Sequence, residues 1–208
     1  MHPNLLKAVI AGAVISLLTA CSQAPPAPAP ETKKAEEPKK ASEPVAARTA
    51  FFEMYKPAHA WAADLLPLSL ASNEIPGIRN EDGKAAMWTA VFVSPSRRAA
   101  RTFFYAIADH GTTIHKGVEI GGAQTWTGST PKSQPFQITE FAVNSDAAYK
   151  TAFGKGEAWL KKHPGMQASL FLGKAARFPA PVWYVQWGTT KSGYAVFVNA
   201  TTGQVVSK

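Results

Sequence analysis

The chain has one cysteine, Cys21, among its 208 residues, and this scarcity excludes two kinds of architecture. No disulfide can form within a single chain, and zinc sites built from several cysteine ligands are excluded as well. The folded part must therefore rely on a substantial hydrophobic core. Acidic residues are also outnumbered, with 14 Asp and Glu against 22 Lys and Arg, for a formal net charge of +8. A basic balance favours anionic partners, but these basic residues are scattered, which is typical of a solvated surface.

An apolar run long enough to span a membrane is missing near the N-terminus. Residues 8–18 form an apolar segment of signal-peptide length, preceded by a short segment with one lysine, Lys7. The segment ends in Leu18-Thr19-Ala20-Cys21, and small residues before a cysteine at this place resemble a bacterial lipobox. The resemblance implies that residues 1–20 are a signal peptide cleaved after Ala20. It also implies that Cys21 carries acyl chains such as palmitate, two through its sulfur and one on its amino group.

Two other interpretations of this segment stay open: an ordinary secretory signal with a chance cysteine, and a short buried helix. Ser22, rather than Asp, follows the cysteine. By analogy with the enterobacterial sorting rule, this residue favours the outer membrane, with the protein facing the periplasm. An envelope address argues against nucleic acid as a partner.

Residues 21–48 are predicted to be a disordered tether that follows the lipidated cysteine. Pro, Ala, Lys and Glu dominate them, and Val45 is their only large aliphatic residue. Such a composition cannot bury enough apolar surface to offset the entropy of ordering the chain. The proline-rich start should be semi-extended, at about 3 Å per residue, which would hold the globular part away from the membrane.

The remaining residues predict an α+β fold of helices and antiparallel strands. Pro57 is placed in the first turn of the first helix, Asn144 is predicted to cap the second, and Gly154 and Gly156 predict fraying or a kink. Short turns join the last three strands, which must therefore be antiparallel. The predicted elements are, in chain order, a helix over about 56–65, strands over 66–71, 84–93 and 97–109, at most short strands at 116–120 and 124–127, a helix over about 145–162, and strands over 166–172, 182–187, 194–198 and from 204.

The order of these elements occurs twice, which predicts an internal duplication with units at 49–135 and 136–208. Each unit has a helix with a tryptophan followed by a meander whose second strand carries another tryptophan. A helix packed on one face of each antiparallel sheet would bury the alternating aromatic residues. Chance similarity of two α+β stretches is the alternative.

The second unit carries two consecutive motifs, Pro-Val-Trp-Tyr-Val-Gln-Trp at 181–187 and Tyr-Ala-Val-Phe-Val-Asn-Ala-Thr-Thr-Gly-Gln-Val at 194–205. Together they resemble a PepSY domain, the peptidase-propeptide and YPEB-type family, over about residues 145–208. The first unit resembles the family more weakly, because Asp109-His110-Gly111 stands where the Asx-containing turn would be. The resemblance implies two cystatin-like units, each a helix packed on an antiparallel meander. It also implies a binding or inhibitory role, often beside a protease or a membrane module, and not catalysis.

No arrangement of residues predicts a catalytic, cofactor or metal site. His110 and His115 lie four residues apart outside any evident helix, which indicates loop histidines. The segment 81–83 is interpreted as a hairpin turn, and Ser94 lacks the Gly-x-Ser-x-Gly context of a hydrolase nucleophile. An envelope hydrolase acting on peptide or glycan in a cleft between the units stays an alternative. A cleft that gathers a histidine with one of three carboxylates would favour it: Asp64, Glu74 or Asp109.

Tryptophans supply the candidate ligand-binding residues. Trp126, in a Gly- and Thr-rich stretch, and Trp187, at a strand end, are predicted to be exposed for recognition. We expect a non-enzymatic, lipid-anchored envelope protein that binds a protein or peptide, with an exported protease as one candidate partner and an edge strand as the acceptor. A structural lipoprotein of envelope assembly is a third interpretation. The other four tryptophans are predicted to lie in the core: Trp61, Trp88, Trp159 and Trp183.

Overall fold

The computed structural model describes residues 43–207, and they form an α+β fold. In chain order the elements are β1 (Val45–Ala46), α1 (Ala47–Trp61), β2 (Leu66–Asn73), β3 (Lys84–Ala85), β4 (Met87–Ser94), β5 (Ala99–Ala106), β6 (Gly117–Thr125), a 3₁₀ turn (Ile138–Glu140), α2 (Ser145–Leu160), β7 (Ala168–Gly173), β8 (Val182–Trp187), β9 (Tyr194–Asn199) and β10 (Val205–Val206). The predicted fold class is confirmed at this level, and so is the closing antiparallel meander from β8 to β10.

Eight of the described strands form one antiparallel sheet in the order β10-β9-β8-β7-β2-β4-β5-β6. β2 and β7 pair at its centre, and the strands that follow each of them along the chain run outward to opposite edges. The short strands β1 and β3 pair separately. The pairing of β2 with β7 therefore joins the two halves of the chain into one continuous sheet.

Both helices contribute to a core against one face of this sheet. α1 contacts β4 and β5, whereas α2 contacts β8 and β9. Their apolar side chains and the alternate residues of the strands form one hydrophobic cluster, so the two halves share a core, and burying this apolar area stabilises the fold. The completely buried members from the eight-stranded sheet are Leu70, Trp88, Ala90, Phe92, Phe103, Leu172, Trp183, Val185 and Val198.

The first helix begins nine residues earlier than predicted, at Ala47, and Pro57 lies inside it. Phe51, Met54 and Ala58 are completely buried along one stripe of the helix. A proline inside a helix costs about 3 kcal/mol, because it removes one hydrogen bond and crowds the preceding turn. Burial of this stripe outweighs that cost. The fold also begins before the predicted boundary at residue 49, because Val45–Ala46 form β1.

The strand β6 is longer than predicted, because one strand runs through the glycines instead of two short ones flanking them. Its pairing with β5 shifts register between Arg101 and Phe103, which is a β-bulge on β6 where Gly121 and Gly122 together oppose Thr102. Arg101 Nε donates to the Gly121 carbonyl at 2.9 Å. The bulge therefore lets the glycines stay in the strand.

The fraying predicted near Gly154 and Gly156 does not occur in the described structure, since α2 is helical without interruption from Ser145 to Leu160. Gly156 faces the ring of Tyr194, where an added Cβ would lie 3.0 Å from the ring. This glycine allows the helix to approach β9 closely. The predicted cap is confirmed, and Asn144 Oδ1 accepts from both Ser145 N, at 2.9 Å, and Arg48 N, at 3.0 Å.

Trp88 and Trp183 lie where the two halves meet in the core. Their rings pack edge to face with centroids 6.3 Å apart. Trp88 Nε1 donates to the carbonyl of Val45, and Trp183 Nε1 donates to the carbonyl of Val143, both at 2.9 Å. Each acceptor lies two residues before the first residue of a helix. The two indoles thus make the same kind of contact in each half.

Candidate binding surfaces

The outer edge of β6 is an open strand edge. Among the described residues β6 pairs only with β5, and most of its side chains from Ile120 onward are exposed. It contains no lysine, arginine or proline, and Glu119 is its one charged residue. Lysine, proline and very short length are the usual features that protect an edge from pairing with another chain. β6 has none of these three features, although its bulge is another feature of protected edges.

The opposite edge of the sheet is much shorter. Its outermost strand, β10, has two residues, Val205–Val206, and pairs with β9. Of the two edges, β6 is therefore the one with enough length to accept an extended segment of several residues.

A groove of about 470 Å³ lies on the face of the sheet opposite the helices. Three ring-bearing residues in matched register on β7, β8 and β9 form its floor: Phe171, Tyr184 and Phe197. The rings of Tyr184 and Phe197 have centroids 5.0 Å apart, and the Phe171 side chain is 45% exposed. We refer to this concave surface, with the loops described next, as the sheet groove.

Two loops, at residues 128–135 and 174–181, form the wall of the sheet groove. They are joined by hydrogen bonds from Gln134 N to the Lys174 carbonyl and from Ala176 N to the Pro131 carbonyl, each 2.9 Å long. Phe178 packs down from the second loop onto Phe197, with ring centroids 5.5 Å apart. The wall is therefore held both by backbone hydrogen bonds and by an aromatic contact.

The charged residues that line the sheet groove are all cationic: Lys132, Lys174 and Arg177. The Arg177 guanidinium lies over the rings of Phe178 and Phe197, at 4.6 and 5.3 Å from their centroids. Lys174 Nζ pairs with Glu140 at 2.7 Å. Partial burial acts to raise the pKa of Glu140, but the hydrogen bonds from Lys174 and from Gln137 N–H outweigh it, so the pKa is lowered.

The two predicted recognition residues lie apart in the structure, and the prediction that Trp187 is exposed is wrong. Trp187 is only 1% exposed and packs on Tyr149 of α2, with ring centroids 5.8 Å apart, because it shares the helix-facing side of β8 with Val185. Trp126 follows β6, is half-buried, and donates its backbone N–H to the Arg98 carbonyl at 2.9 Å. Four strands of the sheet separate β8 from β6, so these tryptophans do not form a common site.

The four tryptophans predicted to be in the core differ in burial. Trp88 and Trp183 are completely buried, whereas Trp61 and Trp159 are half-buried. Trp61 lies beneath the Arg101 guanidinium, which is 5.9 Å from its ring. Trp159 stacks on His163 at 3.9 Å between centroids.

Sequence reasoning missed the rings of the sheet groove, although a signal for them exists. Phe171, Tyr184 and Phe197 each stand between two apolar residues, so their strands are apolar on both faces. That pattern is typical of strands that are covered on both sides. In the structure the helices cover one side, and the second apolar face forms the floor of the groove.

Of the three carboxylates that could have marked a catalytic cleft, Asp109 does lie beside a histidine, but on an exposed loop and not in a cleft. Asp64 precedes β2 and Glu74 follows it, so they lie at opposite ends of an eight-residue strand, about 25 Å long. Asp109 Oδ1 lies 4.0 Å from His115 Nδ1 in an exposed loop, and Glu119 Oε1 lies 3.9 Å from the other ring nitrogen. Within residues 43–207 no group of three or more His, Cys, Asp or Glu side chains is arranged to hold a metal ion.

Asp64 has a structural role at the end of β4. Its carboxylate accepts from the Ser94 hydroxyl at 2.6 Å and from Ser96 N at 2.8 Å. These hydrogen bonds lower the pKa of Asp64 from 3.8 to about 2.

The predicted turn at 81–83 is confirmed, with Asp82 and Gly83 at positive φ. Gly83 also lies so close to Tyr149 that an added Cβ would be 2.7 Å from the Tyr149 Cβ.

None of the helices within the described residues is long and apolar enough to cross a membrane. Cys21 and most of the predicted tether lie outside the described residues.

No protein-family model matches the chain, and no curated protein sequence is similar to it. One solved structure, of a Clostridium difficile 630 protein proposed to be a lipoprotein, is similar at 11% identity and a TM-score of 0.43. That similarity covers 80% of this chain and 91% of the other.

Proposed function

We propose that this protein is a non-enzymatic binding module of the bacterial cell envelope, anchored by lipid at Cys21, that takes an extended segment of a partner protein at β6. The observation that carries the proposal is the open edge of this nine-residue strand. An added strand would bond to the outward backbone groups of β6, and its alternate side chains would lie on the two faces of the sheet. Because the backbone bonds are independent of sequence, the partner's specificity would come from those side chains.

The envelope location rests on the N-terminal sequence. The apolar segment 8–18, the small residues before Cys21 and the absence of any other cysteine together support export and lipidation. Several acyl chains hold a protein on a membrane firmly, whereas one chain holds it only marginally. Ser22 supports the outer membrane as the destination, with the folded part in the periplasm on a tether that ends near Val45.

Two PepSY-like units, fused through β2 and β7, are the proposed origin of the fold. The matching hydrogen bonds of Trp88 and Trp183 to carbonyls two residues before each helix support this duplication. The two outward-running meanders of the sheet support it as well. The PepSY resemblance favours an exported protease as the class of partner. A protease would be bound or modulated by this chain, which would supply no catalytic group itself.

Photochemical crosslinking from the strand tests the function directly. We would place a photoreactive amino acid at Gln124, which is exposed on β6, and the same group at Lys191, an exposed position in the turn between β8 and β9. The full-length lipoprotein would be irradiated in living cells. We expect an envelope protein to crosslink through position 124 and not through position 191.

Proline substitutions show whether the backbone of β6 makes the contact. Inward and outward N–H groups alternate along an edge strand. Because Trp126 N–H bonds inward to the Arg98 carbonyl, Thr125→Pro removes an outward donor and Trp126→Pro removes that inward bond, and both leave position 124 for the photoreactive group. The variant that removes the outward donor should keep its thermal stability and lose the crosslinked partner. Retention of the partner by a folded variant of each kind, or equal crosslinking from position 191, would contradict strand addition at β6.

A further inference from the structure

The sheet groove lies away from β6 and calls for a separate explanation. The strands β5, β4 and β2 stand between β6 and the first strand of the groove floor, β7. At about 4.8 Å between neighbouring strands, the two surfaces are roughly 19 Å apart across the sheet. A segment paired along β6 therefore leaves the groove empty.

The floor of the groove offers an apolar surface that is partly exposed. The rings on the helix side of the sheet, such as Trp88 and Trp183, are completely buried, whereas Phe171 is 45% exposed. Tyr184 and Phe197 are also only partly buried. Gly173 lets the Phe171 ring lie back across the floor, since an added Cβ there would be 2.7 Å from the ring. An apolar side chain of a ligand would cover this surface.

The wall of the groove adds positive charge beside the aromatic floor. The Arg177 guanidinium lies over the rings of Phe178 and Phe197, 4.6 and 5.3 Å from their centroids, and these cation–π contacts favour its place on the wall. Lys132 is exposed, and among the described residues neither it nor Arg177 has a carboxylate within 4.0 Å. Lys174 is already paired with Glu140. Two cations are thus available to an anionic ligand.

We propose that the sheet groove binds an acidic segment of a partner protein, in which a carboxylate pairs with Arg177 and an adjacent apolar side chain packs on Phe171, Tyr184 and Phe197. A guanidinium and a carboxylate match in a two-bond geometry that few other pairs offer. The volume of about 470 Å³ lies within the range of sites that take small ligands, so a short segment of a chain fits and a folded domain does not.

The concave shape favours a protein segment over a membrane surface. The floor lies below the loops 128–135 and 174–181, which project over the same face of the sheet. A flat bilayer resting on these loops would meet the cations and miss the rings. A flexible acidic chain reaches both.

The test uses the full-length lipoprotein in detergent and a fluorescein-labelled peptide, Gly-Asp-Phe-Asp-Phe-Gly, read by fluorescence anisotropy. The control peptide has lysine in place of each aspartate. The variants are Arg177→Glu and, as a matched control with the same change of net charge, Lys191→Glu, which lies in an exposed turn outside the groove. Vesicles of phosphatidylglycerol and of phosphatidylcholine provide the membrane comparison.

The acidic peptide should bind at least about tenfold more tightly than the lysine peptide, and Arg177→Glu should weaken it by a similar factor. Lys191→Glu should leave the affinity within about twofold, and added salt should weaken binding, because the pair is partly exposed. Equal binding of both peptides, or equal losses in the two variants, would overturn the inference. If Arg177→Glu weakens binding to phosphatidylglycerol vesicles and leaves binding of the peptide unchanged, the groove contacts a membrane and not an acidic segment.

The same variants separate this inference from the proposed function. Arg177→Glu should leave the crosslink from position 124 on β6 unchanged. Loss of that crosslink in Arg177→Glu would mean that the groove and β6 hold one partner, which contradicts two independent sites. A failed crosslink at β6 together with binding of the acidic peptide would leave the groove in place and remove the strand-addition mechanism.

Discussion

At the scale of single residues, Asp64 ties the turn after α1 to the hairpin between β4 and β5. Its two oxygens accept from the Ser94 hydroxyl and from Ser96 N, and these bonds favour the charged carboxylate. The pKa of Asp64 in the folded protein is about 2, below the ordinary value of 3.8. A group whose pKa is lowered by folding stabilises the folded state above its unfolded pKa, and this contribution is lost as the pH falls through the folded pKa.

We therefore expect Asp64→Asn to lower the free energy of unfolding at pH 7. The difference from the parent protein should shrink below about pH 4 and become small near pH 2, where the parent carboxylate is already half protonated. Urea unfolding at a series of pH values measures this. Glu74→Gln removes the same charge at an exposed site and should have little effect at pH 7. A deficit in Asp64→Asn that stays constant down to pH 2 would show that the shape of the side chain matters and its charge does not.

The placement of the tryptophans shows how far a residue-scale prediction reaches. Trp88 and Trp183 were predicted to be core residues and are completely buried. Trp187 was predicted to be exposed because it ends a strand, and this was wrong. The alternation that buries Trp183 and Val185 also points Trp187 at α2, and Tyr149 of that helix covers the end of β8.

At the scale of secondary-structure elements, the two indole hydrogen bonds attach a strand of each half to the segment that precedes a helix. Trp88 binds Val45 before α1, and Trp183 binds Val143 before α2. We expect Trp88→Phe and Trp183→Phe each to cost about 2–4 kcal/mol, from the unpaired carbonyl and the space left by the smaller ring. If the halves are equivalent units, the two losses should be similar. Chemical denaturation of each variant measures them.

The double variant provides the control for this comparison. The two rings touch in the parent protein, with centroids 6.3 Å apart, so the losses should not add. The combined cost should be smaller than the sum, because the first substitution already removes their mutual contact. A large cost for one substitution and almost none for the other would argue against equivalent roles and weaken the case for duplication.

Element boundaries were the least predictable feature at this scale. The local pattern placed Pro57 in the first turn of a helix, and local glycines divided β6 into two strands. In both cases a distant partner decided the outcome. α1 gains buried contacts against β4 and β5 that outweigh the proline, and β5 accommodates the glycines of β6 through a bulge and the Arg101 side chain.

At the scale of the whole molecule, the lipid on Cys21 would determine where the protein is found. We expect the parent protein to incorporate an alkyne-labelled palmitate and to partition into the detergent phase of Triton X-114, and Cys21→Ser to lose the label. Each buried methylene contributes about 0.8 kcal/mol to membrane binding. Gel fluorescence after click labelling of cells measures this. Ser22→Ala is the matched control and should still be labelled.

Retention of the uncleaved signal peptide would keep Cys21→Ser in the detergent phase without lipid. A second variant therefore replaces residues 1–20 with an ordinary cleavable secretory signal and carries serine at position 21. This variant should enter the aqueous phase. Equal labelling of Cys21→Ser and the parent would contradict lipidation at this residue.

The amino-acid sequence by itself determined the α+β class, the closing meander and the cap of α2 at Asn144. These features depend on alternation, turn residues and capping, which act between residues close in the chain. Only the tertiary structure decided that the halves share one sheet, since this depends on β2 meeting β7 about a hundred residues later. It also decided which apolar face stays uncovered. Both faces of β7 to β9 are apolar in sequence, and only the position of α2 leaves Phe171, Tyr184 and Phe197 as the floor of a groove.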